Sequence, residues 1–367
     1  MFRHQGGVLT VDLDAIVENW HTLSTITAPS SCGAVVKADG YGLGLAKVGS
    51  ALSKTGCTRF FVATIDEGIT LRRSIGAGSK IYVLNVTMVG DAAAELDDHD
   101  LTPVLNSPFD IAVWGTHCRS FGGGRAILAL DTGMQRLGLS PSEAQDLAGA
   151  TDRLDGVTID YVMSHLACAE DAEHPMNEEQ RRRFDALRSN LPRAPASLAN
   201  SGGVFLGSAF HYDLSRPGAA LYGVSCSTSA SKKMKQVVGL KGKILQVRVV
   251  DSESTVGYGA TRSVQAGSRL ATVAAGYADG YLRSLGNSGH GYAAGVKIPV
   301  VGRVSMDLIT FDISNIPSGV LNQGDDVELI GTHQTLDDLA GEAGTIGYEI
   351  LTSLGQRYER RYIGNGA

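Results

Sequence analysis

The run Cys32-Gly33-Ala34-Val35-Val36-Lys37-Ala38-Asp39-Gly40-Tyr41-Gly42-Leu43-Gly44 governs the reading of the whole chain. Ala34, Val35 and Val36 are apolar, as a strand covered on both faces requires. That strand, residues 33–37, delivers a lysine at its last position. A lysine there must shed its hydration or lower its pKa. Gly40, Gly42 and Gly44 then break the strand and let backbone approach a bound group closely. Helical spacing resumes over residues 45–55. A lysine at the carboxyl end of a strand, in a strand–glycine loop–helix unit, suits a Schiff-base amine. The bland alternative is a lysine snorkelling at a strand end, and this segment alone leaves both readings open.

Outward from this stretch, strand and helix patterns alternate. A short strand at residues 7–12 precedes a helix that starts near Asp14 and carries Trp20. Strands are expected at 33–37, 60–65, 81–86, 101–105, 126–131, 159–165, 196–200 and 212–216. Amphipathic helices fall between them at 67–75, 92–96, 108–114, 142–148 and 178–191. About eight such units predict a closed (β/α)8 TIM-type barrel over residues 8–225. An open doubly wound sheet is the alternative, but no G-x-G-x-x-G follows an early strand. Small polar residues at 226–235 read as a linker. Residues 236–367 lose the helical period and predict a separate all-β C-terminal domain, which the N-terminal strand within residues 1–12 can join. Its strands are expected at 237–250, 269–275, 297–301, 308–313 and 327–330, with helical pieces near 335–341 and 348–354.

Composition narrows the class. With 367 residues and 43% hydrophobic content, the chain can bury a large core. A net charge of −6 without a long basic run argues against nucleic acid and fits a small-molecule enzyme. No stretch is long enough to span a bilayer, and the N-terminus lacks a signal-peptide core. Five scattered cysteines without C-x-x-C spacing predict neither a disulfide frame nor a zinc site, and place the chain in a reducing cytosol.

Barrel chemistry belongs at the carboxyl ends of the strands. There stand Lys37, then Asp131-Thr132-Gly133-Met134-Gln135-Arg136, Ser164-His165, Asn200-Ser201-Gly202-Gly203 and Ser215-Arg216-Pro217-Gly218-Ala219. The Ser201 turn can offer a hydroxyl and backbone N–H groups to a phosphate. Singly, a glycine turn is a turn, His165 is a satisfied core residue, and the arginines are surface residues. Together, a lysine and a phosphate cradle in one barrel mouth point to pyridoxal phosphate.

With these residues in place the chain resembles the alanine racemase family along nearly all its length. Val36-Lys37-Ala38-Asp39-Gly40-Tyr41-Gly42 matches the family's cofactor-lysine signature. Asp131-Thr132-Gly133-Met134, Asn200-Ser201, Arg216-Pro217-Gly218, Gly276-Tyr277-Ala278-Asp279-Gly280 and Ser305-Met306-Asp307 match further blocks in order. The resemblance implies that Lys37 carries pyridoxal 5'-phosphate as a Schiff base. It also implies that Tyr41, Ser201, Gly218, Ala219 and Tyr348 surround the phosphate, that His165 and Leu84 lie by the ring, and that Arg216 faces the pyridine nitrogen. Arg136 and the Met306 backbone would meet the substrate carboxylate, with Tyr277 and Asp307 beside them. Tyr258, which alone reads as a packed strand tyrosine, becomes the second acid/base, reaching into the partner subunit of a homodimer with shared active sites. The implied function is two-base interconversion of L- and D-alanine, supplying D-alanine for cell-wall peptidoglycan.

Racemisation explains why two bases are needed, because a proton leaves one face of the α-carbon and returns on the other. A tyrosine ordinarily titrates near about 10, so neighbouring charge or hydrogen bonds must help it. An arginine facing the pyridine nitrogen keeps its own proton and limits charge delocalisation into the ring, which favours reprotonation over transamination. Three positions depart from the family: Ala129 where a carbamylated lysine is common, Leu43 where histidine is common, and Ser197 before the Asn-Ser pair. The alternatives are a broader-specificity racemase, a non-catalytic cofactor-binding protein, which needs no Tyr258, and a basic-amino-acid decarboxylase, which would present an acid at Arg216.

Overall fold

The computed structural model describes residues 6–227 and 234–364. The chain divides into two compact units, one of residues 16–235 and one of residues 1–15 with 236–367. Residues 228–233 of the expected linker lie outside the described residues.

In the first unit the apolar runs pair in parallel. Ala34–Val35, Arg59–Val62, Lys80–Val83, Leu101–Leu105, Gly124–Ala129, Val157–Met163 and Ala196–Ser197 form a seven-stranded sheet in chain order. The eighth strand, Leu214–Ser215, pairs with Ser31–Cys32, the leading half of a strand that Gly33 interrupts. Backbone hydrogen bonds close the ring. Arg216 N–H donates to Ala199 O at 2.9 Å on one side, while Gly33 N–H donates to Ser215 O and Val35 N–H to Pro217 O, each at 2.9 Å, on the other. The first strand is therefore the seam of a (β/α)8 barrel. Its leading half belongs to strand eight and its trailing half to strand two.

Helices start where the sequence supplies a cap. Thr64, Ser107 and Ser140 side chains accept the N–H of Glu67, Asp110 and Glu143, opening helices Ile65–Ile75, Pro108–Phe121 and Pro141–Ala148. At mid-barrel, buried Asp160 accepts a hydrogen bond from Tyr82 Oη at 3.1 Å and pairs with Arg125. The ion pair offsets the burial of that carboxylate.

Several expected strand ends shift by two or three residues: 60–65 ends at Val62, 81–86 at Val83, 126–131 at Ala129, 159–165 at Met163 and 196–200 at Ser197. The first strand ends at Val35 and Lys37 opens a turn, because the following residues take left-handed backbone that no strand can continue.

The second unit is built on one long strand, Val238–Val249. Its first half pairs antiparallel with both Gly7–Asp12 and Asp326–Ile330, and its second half pairs with Arg269–Val273, which pairs in turn with Ile309–Asp312. The register shifts between Ile244 and Gln246. Such a bulge lets one strand change partners along its length. Gly7–Asp12 lies between Val238–Val249 and Glu359–Ile363, the latter pairing being parallel. His290–Ala293 and Val296–Pro299 extend the sheet, and Ser254–Val256 with Arg262–Val264 forms a separate hairpin. Two helices, Leu336–Ala343 and Gly347–Ser353, complete the unit.

Candidate active site

The carboxyl ends of the barrel strands converge on a cavity of about 200 Å³, whose lining includes Lys37, Leu84, Asn106, Ala129, Arg136 and His165. Lys37 opens the turn Lys37–Tyr41, in which Ala38, Asp39 and Tyr41 hold φ of +54°, +54° and +55°. Left-handed backbone costs a residue with a Cβ about 1–2 kcal/mol, so the turn must be held by its surroundings. Gly40 N–H donates to Val36 O at 2.9 Å, Gly42 N–H to Ala38 O at 2.7 Å and Leu45 N–H to Asp39 Oδ1 at 2.8 Å. Ala38 N–H donates to Glu67 Oε1 at 2.7 Å. Burial lowers the Lys37 pKa, the Arg136 guanidinium lowers it further, and Glu67 opposes both. Such an amine gives up its proton more readily than an exposed lysine and becomes a nucleophile.

Asp131 Oδ1 accepts the N–H groups of Gly133, Met134 and Gln135 at 2.8, 2.9 and 3.2 Å, folding the turn that brings Arg136 to the cavity. Ala129 contributes only a methyl group to the wall. The His165 Nε2 lies 3.5 Å from Asn200 Nδ2. Burial, then the charges of Arg216, Arg136 and Lys37, push His165 down to about 3, so its ring is neutral at physiological pH.

Arg216 is buried, with Nη2 donating to Ser164 O at 2.6 Å and Nη1 to Ser197 Oγ. Ser197 Oγ in turn donates to Leu214 O at 2.5 Å. Burial draws Arg216 down to about 10, which leaves it charged near neutrality. Both acceptors are neutral oxygens, so the buried cation is uncompensated and suits an electron-rich partner. Beside it, Ser201 Oγ accepts Gly218 N–H at 2.8 Å and Ala220 N–H at 3.2 Å. Its own proton remains for an outside acceptor. A Cβ at Gly218 would stand 2.2 Å from Tyr41 Oη, and the Tyr41 ring stacks on Tyr222 at 4.5 Å between centroids. Ala219 opens the turn that follows.

The second unit carries the other candidates. Tyr258 is 72% exposed on the loop of the Ser254–Val256 hairpin, after Gly257 with φ +72°. Tyr277 N–H donates to Ser305 O and Ala278 N–H to Met306 O, both at 3.0 Å, which joins two candidate loops. A Cβ at Gly276 would stand 2.3 Å from Met306 O. Arg357 clamps the pair, donating to Asp279 Oδ1 at 2.6 Å and to Asp307 Oδ1 at 2.7 Å. The Asp307 carboxylate is therefore already engaged. Tyr348 sits half-buried on helix Gly347–Ser353.

Two family models match the chain, the alanine racemase N-terminal domain over residues 11–226 and the C-terminal domain over residues 237–362. The chain belongs to the alanine racemase family. Among relatives of this alanine racemase family member, the catabolic alanine racemase of Mesorhizobium japonicum is 48% identical over 360 residues, covering 98% of this chain and 94% of that protein. The alanine racemase of Rhodospirillum rubrum is 49% identical over 359 residues, covering 97% and 96%. Among solved structures, alanine racemase from Bartonella henselae with covalently bound pyridoxal phosphate superposes with a TM-score of 0.94 at 42% identity, covering 98% of this chain and 100% of that one. Biosynthetic alanine racemase from Pseudomonas aeruginosa gives 0.89 at 32%, covering 98% and 100%.

Around the candidate site stand further residues that sequence reasoning passed over. Asn106 Nδ2 donates to Leu84 O and Val104 O, both at 3.0 Å, bracing the cavity wall. Its place one residue past an expected strand was the available signal. Thr132 Oγ1 meets Ser164 Oγ at 2.8 Å, and fully buried Gln180 donates to Thr132 Oγ1 at 3.2 Å and to His165 O at 2.9 Å. Gln180 gave no signal, because it stands in the charged run Glu178-Glu179-Gln180-Arg181-Arg182-Arg183. Glu67 was likewise missed.

The residues fit pyridoxal phosphate. A lysine amine of lowered pKa lines the cavity, an uncompensated guanidinium stands at the eighth strand end, and the Ser201 hydroxyl has a proton to give.

Proposed function

We propose that this chain interconverts L- and D-alanine with pyridoxal 5'-phosphate held on Lys37, using Lys37 and Tyr258 of the partner subunit as the two bases. The observation that carries this reading is the Lys37 amine, its pKa lowered by burial, lining one cavity with Arg136 and His165. When bound, the cofactor supplies an electron sink that makes the substrate's α-hydrogen acidic.

The residues do the rest. The Lys37 Nζ, free once the substrate amine has taken its place on the cofactor, takes or returns the α-proton on one face, and the Tyr258 Oη serves the other. Arg136 and the Met306 backbone hold the carboxylate, which fixes the α-carbon between the bases. Tyr277 and Asp307 are the further substrate-binding residues of this reading. Arg216 would offer its guanidinium to the pyridine nitrogen, neutral His165 and Leu84 would flank the ring, and Tyr41, Ser201, Gly218, Ala219 and Tyr348 would hold the phosphate. Ala129 cannot form a carbamate, so Arg136 is oriented by its Asp131-held turn.

A homodimer with shared sites is supported by Tyr258, whose ring is largely open on a single chain. Five free cysteines support a reducing cytosol, and no helix among the described residues is long and apolar enough to cross a membrane. Enantiomers have equal free energy, so the same site makes D-alanine for peptidoglycan or consumes it, as supply dictates.

The test mixes two inactive variants, Lys37→Ala and Tyr258→Phe, under conditions of subunit exchange. About half the dimers are then mixed, and one of their two sites regains both bases, so racemisation of alanine returns to about a quarter of wild type. Tagged heterodimers that form but stay inactive refute the shared site. Borohydride reduction and peptide mapping locate the cofactor, and a reduced adduct on another lysine refutes the Lys37 assignment.

A further inference from the structure

Glu67 reaches the peptide bond after Lys37 from a different strand–helix unit. It sits in the first turn of helix Ile65–Ile75, just past strand Arg59–Val62, and both its oxygens are engaged. Oε1 accepts Ala38 N–H and Oε2 accepts Ala63 N–H, each at 2.7 Å. We infer that Glu67 is a positioning residue for Lys37: its carboxylate ties the peptide after the lysine to the end of the neighbouring strand and so fixes where the amine points. The inference rests on the reading that Lys37 carries the cofactor.

Two observations make this more than a loop contact. The tied peptide begins the stretch of left-handed backbone at Ala38, Asp39 and Tyr41. The bonds of Gly40 and Gly42 hold that stretch to itself, whereas the Glu67 bond fixes its orientation against strand two. Secondly, the carboxylate places a fixed negative charge near the amine. Other charged or titratable groups stand near Lys37 among the described residues, and buried Tyr41 ends its own turn. Arg136 comes from the loop after strand five and neutral His165 from the end of strand six. Asp131 binds three backbone amides of its own turn, and Asp39 binds Leu45 N–H. Burial and Arg136 both work against a protonated Lys37, and Glu67 works for it. An amine that must take up an α-proton and hold it until return needs that opposing charge.

The test compares full-length wild type, Glu67→Gln and Glu67→Ala, each stripped of cofactor. Trace acetic anhydride is applied across a pH series, and Lys37 acetylation is read by peptide mass spectrometry against exposed Lys241. Hydrogen exchange at Ala38 is followed in parallel. The Gln variant keeps shape and one acceptor but loses the charge, so the pH midpoint of Lys37 labelling moves down. The Ala variant loses the tie, so Ala38 exchange accelerates. With cofactor restored, kcat falls roughly ten- to a hundredfold while KM for alanine stays within about threefold. An unchanged or higher midpoint in Glu67→Gln overturns the inference, as does unchanged Ala38 exchange in Glu67→Ala. If Glu67→Ala does not fold, the isosteric Gln variant decides alone through the midpoint and the kcat–KM split. Borohydride mapping of the loaded wild type reports separately on the Lys37 reading, so the two failures are distinguishable.

Discussion

Replacing Gly218 by alanine is the sharpest probe of the phosphate end of the site. The added Cβ would lie 2.2 Å from Tyr41 Oη and 3.0 Å from Cζ, where ordinary contact begins at 3.4 Å. The hydroxyl must therefore move by about 1.2 Å or the strand-eight turn must move instead. Neither yields easily. Tyr41 is 7% exposed, its ring is stacked on Tyr222, and its backbone sits at φ +55°. The Gly218 N–H is fixed on Ser201 Oγ at 2.8 Å. Overpacking of this kind costs about 1–3 kcal/mol. Removing the oxygen with Tyr41→Phe leaves the approaches to Cζ at 3.0 Å and to Val35 Cβ at 3.3 Å, the closer of which asks for a shift of about 0.4 Å. The double variant should recover more than half the loss. The assay is urea unfolding of four cofactor-free proteins in a double-mutant cycle, with expected coupling of about 1 kcal/mol or more. Additivity within about 0.5 kcal/mol would show that the two groups do not meet, and would refute the placement of Tyr41 against strand eight.

Three further outcomes follow from the same site. Ser197→Ala leaves a buried guanidinium N–H without its acceptor; hydrogen bonds to charged groups contribute about 1.5–3 kcal/mol, so denaturant unfolding should show a loss of that order, and Ser197→Thr should restore part of it. His165 has a folded pKa of about 3, below its ordinary 6.5, so the unfolded chain binds the extra proton between those values. Its contribution is full above pH 6.5 and is lost as pH falls towards 3, with a slope of at most about 1.4 kcal/mol per pH unit. The stability gap between wild type and His165→Asn should therefore narrow on acidification; a constant gap from pH 7 to pH 5 contradicts it. Ala129 cannot be carbamylated, so removing dissolved carbon dioxide should leave the racemisation rate unchanged, and a reversible drop would point to a modified lysine elsewhere.

The barrel was legible because its strands are buried on both faces and so appear as near-continuous apolar runs, from Phe60-Phe61-Val62 to Ala126-Ile127-Leu128-Ala129. Strand ends then predicted which residues would gather, and Lys37, Arg136 and His165 do line one cavity, together with Leu84, which only the family resemblance supplied. Seams and edges were harder to read. Gly33 splits the first strand through a change of hydrogen-bonding partner, and single-residue patterns carry no record of partners. Strand His290–Ala293 lacks an apolar run, and Glu359–Ile363 is masked by Glu359, Arg360 and Arg361. Buried polar braces such as Gln180 resemble surface residues in sequence, because only their tertiary partners distinguish them.

Strand Gly7–Asp12 is made long before one of its partners, because Leu9 is registered against Arg360, roughly 350 residues later. At ribosomal rates of about 5–20 residues per second, that partner follows by roughly 20–70 seconds. Its other neighbour, Val238–Val249, also arrives after the whole barrel has been made. The nascent chain must therefore carry this strand, with Leu9 and Val11 destined for full burial, through synthesis of the whole barrel with neither neighbour available. The sheet of this unit cannot be completed until residues 359–363 have been made. A ribosome stalled before residue 359 would display a finished barrel tethered to a sheet with one edge open, the kind of edge that invites pairing with another chain.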